Sequence, residues 1–150
     1  MRKSILTIVI VMLAGLTSAF ADKSKEVNPA VAASFNKDFS SAQTVSWEKQ
    51  KDYDKATFSL NDQVFYAYYK EDGELLAVVR NILSMQLPIT LMTDLKNNYK
   101  GYWISNLFEM ASGNNTVYFV TLENADETLI LQSDEFNDWI SYDKTKKGII

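Results

Sequence analysis

The chain contains no cysteine and no histidine in its 150 residues. Without cysteine there can be no disulfide framework, so stability must come from core packing. Zinc, copper and haem sites built on those two ligands are excluded. So are Ser-His-Asp and Cys-His nucleophile pairs. Any catalysis would have to rest on carboxylates, lysine, tyrosine or a Ser-Lys pair. Basic residues are in the minority, 15 Lys and Arg against 19 Asp and Glu. That balance suits neither nucleic acid nor an anionic membrane surface, both of which call for lysine and arginine. Long apolar runs are also scarce. The one at Ile5 to Leu16 is shorter than the roughly 20 residues a spanning helix needs.

That short run has the flanks of an export signal. Arg2 and Lys3 precede it, and Ala19-Phe20-Ala21 closes it with the small-x-small pattern of a cleavage site. The expectation is a signal peptide over residues 1–21 and a single mature domain over residues 22–150. Losing Arg2 and Lys3 leaves 13 basic against 19 acidic residues, a balance of −6. The product would be periplasmic or secreted, with no stable membrane anchor after cleavage.

Beyond the leader the chain reads as one pattern used twice. Asn28-Pro29 has the form of a helix start, an N-cap followed by proline at the first helical position. Val31, Phe35 and Phe39 then recur at spacings of four, one apolar helical stripe. Strand-like runs follow at Thr44 to Lys49, Lys55 to Leu60, Gln63 to Lys70 and Glu74 to Leu83. Their joints are short, at Lys51-Asp52, Asn61-Asp62 and Asp72-Gly73, as in an antiparallel meander. Pro88 reopens the pattern. Leu91, Leu95 and Tyr99 each lie 60 positions after Val31, Phe35 and Phe39. Further strands are expected at Tyr102 to Met110, Thr116 to Glu123, Glu127 to Ser133 and Asp138 to Tyr142. Asp62 to Ala67 aligns without gaps to Asp126 to Leu131. The fold class is therefore α+β, a tandem repeat of a helix plus a four-stranded antiparallel sheet. Repeat one spans about 28–83 and repeat two about 87–143. Each helix has one apolar stripe and should cover one sheet face, leaving the other face open.

Phe35, Phe39, Val45-Ser46-Trp47, Asp72-Gly73-Glu74-Leu75, Leu87-Pro88 and Tyr99 together resemble a known family. It is the exported β-lactamase-inhibitor-like (BLIP-like), PepSY-like proteins of Bacteroidetes-type bacteria. The resemblance covers roughly Asn28 to Asp143 and implies a tandem helix-plus-four-strand fold and an exported location. The inhibitor proper is stapled by disulfides that this chain lacks, and no inhibitory residue carries over position by position.

Strand alternation supplies the candidate site. Phe65, Phe58, Leu129 and Val120 fit a helix-covered core, which turns Tyr66, Tyr68 and Phe119 to the open face. Ile104, paired with Val45 as core, turns Trp103 the same way. Tyr66, Tyr68, Trp103 and Phe119 are thus expected to form an aromatic protein-binding surface, since tyrosine and tryptophan bury large rigid area while keeping a polar handle. The acidic clusters at Asp52 and Asp54, and at Asp134, Glu135 and Asp138, lack the oxygen-rich loop of a calcium site and read as solvated turns. No metal or cofactor is expected. Asn114-Asn115-Thr116 matches a glycosylation acceptor but reads as a hairpin turn. Lys144, Lys146 and Lys147 read as a polar, frayed end. The leading expectation is a non-enzymatic binding module for a protein or peptide of the cell envelope. The alternatives are a small-ligand carrier, marked by a cavity between helix and sheet, and a carboxylate-based hydrolase, marked by a close buried acid pair.

Overall fold

The computed structural model describes residues 27–134 and 138–147; the expected leader and its cleavage site lie outside them. Two helices, α1 (Pro29–Asp38) and α2 (Ile89–Asn98), each precede four strands. After α1 come β1 (Gln43–Lys49), β2 (Asp54–Leu60), β3 (Gln63–Tyr69) and β4 (Leu75–Asn81). After α2 come β5 (Trp103–Ser112), β6 (Asn115–Glu123), β7 (Glu127–Asp134) and β8 (Ile140–Lys146). The eight strands do not form two separate sheets. They make one antiparallel sheet in strict sequence order, β1 to β8, so the halves join through β4 and β5. That seam is short, pairing Val78, Val79, Arg80 and Asn81 with Ala111, Met110, Glu109 and Phe108.

Local chemistry explains the boundaries. The Asn28 side chain accepts a hydrogen bond from the Ala30 amide at 2.9 Å, with Pro29 opening the helix. Pro88 caps α2 rather than entering it. Asn61 and Asp62 both have positive φ, 51° and 62°, the requirement of a type I′ two-residue hairpin. Asn124 accepts from the amides of Asp126 and Glu127, both at 2.8 Å. Gly73 has φ of +88°, and a Cβ there would lie 2.7 Å from Ser34 Oγ and 2.8 Å from Ala30 O. Glycine is required at this turn both by conformation and by the closeness of α1. In the second half a different residue ties the β7–β8 connection to its helix: Trp139 Nε1 donates to Leu91 O at 3.0 Å.

Both helices lie on one face of the sheet, each over its own core. Val31 and Phe35 pack with Ala56, Phe58, Ala67 and Tyr69. Leu91 and Leu95 pack with Leu107, Val120, Leu122, Leu131 and Trp139. Phe35 sits at the centre of the first core, edge-on to Trp47 at 5.2 Å and to Phe58 at 5.1 Å. The expected pairing of Ile104 with Val45 as core is corrected, because both are substantially exposed. Val45 lies on the edge strand beside a bulge between Gln43 and Ser46. Ile104 lies in the part of β5 that runs past the end of β4.

The solvated-turn reading of Asp54 is also corrected. This residue is buried, and its Oδ2 has no hydrogen-bond partner. Asp54 stands opposite Tyr69 in the β2–β3 register. The matching cross-strand position in β6–β7 pairs Tyr118 with Ser133. Tyrosine and a small polar residue thus occupy the same buried place in both halves, with the strands exchanged. Of the second acidic group, Glu135 lies outside the described residues.

Candidate functional site

The sheet face away from the helices is where the sequence places the candidate site. Antiparallel sheets that meet water on one side normally alternate apolar-in with polar-out. Here the second face is apolar too. Tyr68, Ala77, Val79, Phe108, Met110 and Phe119 form a buried cluster, flanked by Tyr66, Val117 and Tyr142. No residue of either helix belongs to it.

Register places the four expected site residues on this face but does not make them one surface. Tyr66 and Tyr68 stand opposite Val79 and Ala77, and Phe119 opposite Phe108. Trp103 is further along, opposite Glu123. Tyr68 and Phe119 are only 4% and 1% exposed, so they are core residues and cannot be contact residues as they stand. The face closes over them with its own side chains. Tyr53 packs on Tyr68 with ring centroids 5.4 Å apart. Phe108 stacks on Phe119 at 5.0 Å, and Tyr142 meets it edge-on at 5.8 Å. Burial pushes the Tyr68 hydroxyl well above the ordinary phenol range, with Tyr53 next to it adding to the shift. Tyr66 is half-buried, with Lys55 Nζ 5.2 Å from its ring centre. Only Trp103, 54% exposed, presents a large open surface. Lys147 Nζ lies 5.1 Å from its ring centre.

The exposed apolar surface lies elsewhere, around the connector between the halves. Leu83, Met85 and Ile89 are 65%, 79% and 68% exposed. Met85 sits in the short 3-10 turn Ser84–Gln86. Opposite runs the start of β5, beyond the last β4 pair, where Ile82 still donates its amide to Leu107 O at 3.1 Å. Between the two strands of chain is an open groove of about 280 Å³, lined by Asn81, Ile82, Leu83, Ser84 and by Ile104, Ser105, Asn106 and Leu107. Sequence reading missed it because Leu83 looked like the end of a strand and Ile104 like core. The available signal was Leu83 and Met85, apolar residues in a connector too short to bury them.

Charge gathers at the C-terminal edge. The lysines read as a frayed end instead belong to β8 and its exit. Lys144 Nζ pairs with Glu127 at 2.8 Å, and Lys147 Nζ with Glu123 at 2.8 Å. Tyr102 adds a hydroxyl donor to Glu127. Lys144 and Tyr102 hold the Glu127 carboxyl below the usual carboxylate range, and Lys147 and Ser105 do the same for Glu123. A general acid needs the opposite shift. Among the described residues no group of acids is placed to hold a metal ion, and no helix is long and apolar enough to cross a membrane.

No protein-family model matches the sequence, and no curated protein matches it. Solved structures do match the fold. A BLIP-like protein from Bacteroides fragilis superposes with a TM-score of 0.70 at 16% identity, over 87% of this chain and 92% of its own. A DUF2874 family protein from Bacteroides ovatus gives 0.70 at 14%, over 84% and 89%. A candidate periplasmic protein from Bacteroides eggerthii gives 0.71 at 10%, over 81% and 89%. The chain therefore has the α+β fold of these Bacteroides proteins, two helices against one eight-stranded antiparallel sheet.

Proposed function

We propose that this chain is an exported, non-enzymatic binding module of the cell envelope that holds a protein or peptide at the apolar end of its sheet. The contact residues in this reading are Leu83 and Ile104 in the groove lining, Met85 in the adjoining 3-10 turn and Trp103 on the neighbouring stretch of β5. One observation carries it: Leu83 and Ile104 stand exposed in the lining of an open groove next to exposed Met85, while both sheet faces have closed cores. Exposed apolar surface of this kind marks contact sites. Export behind Ala21 fits the leader pattern and the Bacteroides neighbour described as a candidate periplasmic protein. Descent of the two halves from one duplicated unit fits the exchanged tyrosine pairs, Asp54–Tyr69 and Tyr118–Ser133. The kinship with PepSY modules rests on sequence pattern alone.

The other readings have less behind them. The groove is smaller than most small-molecule pockets and lies beside the connector, not between helix and sheet. The carboxyls of Glu123 and Glu127 are displaced away from acid–base use.

The test is capture from envelope extract on immobilised wild type and on a Leu83→Ser, Met85→Ser variant. Both residues are exposed, so the variant should melt within about 3 °C of wild type. A protein retained by wild type and lost by the variant supports the reading. Equal retention by both moves the contact surface elsewhere. No specific retention by either overturns protein binding.

A further inference from the structure

With no cysteine in the chain, sulfur redox chemistry falls to methionine alone. The described residues hold three, in three different environments. Met110 is 1% exposed, sealed in the open-face cluster opposite Val79 and Val117. Met92 is half-buried against the α2 core. Met85, 79% exposed, projects from the 3-10 turn of the connector beside exposed Leu83. Thioether oxidation requires that the oxidant reach sulfur, so reactivity follows exposure.

We infer that Met85 is a peroxide-modification site whose oxidation turns the connector surface from apolar to polar. A sulfur lone pair attacks one oxygen of hydrogen peroxide. The S–O bond forms as the O–O bond breaks, and the departing hydroxide takes up the remaining proton and leaves as water. Sulfur loses two electrons and the peroxide gains them. The product carries an S=O dipole on a connector whose other exposed apolar residues are Leu83 and Ile89. A sulfoxide reductase reverses the change. Met85 belongs to none of the core clusters, so the added oxygen falls outside the packed interior. The change thus falls on surface chemistry. The modification does not depend on the binding reading, and the following test needs no partner.

Wild type and Met85→Leu are treated with hydrogen peroxide, sampled over time, mapped by peptide mass spectrometry and run on a phenyl-substituted resin. The Met85 peptide should gain oxygen at least about ten-fold faster than the Met110 peptide. Oxidised wild type should elute earlier than untreated protein, while Met85→Leu should keep its retention. Comparable oxidation rates for Met85 and Met110 overturn the site. Unchanged retention of oxidised wild type, or an equal shift in both proteins, overturns the switch. Neither failure bears on capture of a partner by unoxidised protein.

Discussion

Replacing Phe119 with alanine separates a structural role for the helix-free sheet face from a purely binding one. Phe119 is 1% exposed and touches two rings, Phe108 at 5.0 Å and Tyr142 at 5.8 Å. Buried Phe→Ala changes cost about 3–5 kcal/mol through lost transfer energy and the cavity left behind. Each aromatic pair adds about 0.5–1.5 kcal/mol, part of which is already in that range. We take about 4 kcal/mol as the expected loss. For a chain of this size 1 kcal/mol moves the melting midpoint by roughly 3 °C, so the variant should melt about 12 °C lower. Trp103→Ala is the matched control, an aromatic on the same face but 54% exposed, and it should cost under about 1 kcal/mol. Both variants are followed by circular dichroism during heating and by urea titration. A loss below about 1 kcal/mol for Phe119→Ala would show that the face is not packed as described. The cluster would then be a surface and not a core.

Two further outcomes follow from local geometry. Gly73→Ala should lose about 1–3 kcal/mol in urea titration, because alanine must take φ of +88° and its Cβ meets α1. Gly101→Ala, with nothing within 4 Å of its Cβ, should be close to neutral. The second outcome concerns pH. Glu127 and Glu123 have folded pKa values below their unfolded ones, so their contribution is complete above the unfolded value of about 4.3 and fades as pH falls through the folded value. Glu127→Gln should melt lower than wild type at pH 7, and the gap should narrow as pH falls below the unfolded value and through the lowered folded one. A gap that persists in acid would mean that glutamine disturbs packing rather than charge.

Much of the architecture was legible because it is written in short-range chemistry. Asn28-Pro29, the stripes through Val31 and Leu91, and the turns at Asn61-Asp62 and Asp72-Gly73 are local signals, and each marks the element it promised. Strand alternation likewise divided Phe65 from Tyr66 and Tyr68 correctly. The remainder depended on tertiary arrangement. Alternation assigns a face but not its depth, so Tyr68 and Phe119 read as surface when rings from β5, β8 and the β1–β2 turn cover them. The groove was hidden because it depends on β4 ending at Asn81 while β5 continues to Trp103, a difference set by pairing and not by residue type. Asp54 was unreadable for a similar reason. An aspartate near a turn is ordinarily solvated, and only the register brings it opposite the fully buried Tyr69.

The sequence-order sheet sets how the protein answers to mechanical load. β1 and β8 are its two edges, and each is joined to the rest by a single ladder. Tension applied between them is met by no strand that bridges the halves from outside. The ladders lie in series between the edges, so each carries the whole load and the one with the fewest register pairs gives first. The middle of this series is the β4–β5 seam, with four register pairs against nine for β5–β6. Parting at the seam would leave two pieces, each with its own helix and helix-side core. The apolar cluster on the other face draws on strands from both pieces, so it is the part that parting them tears open.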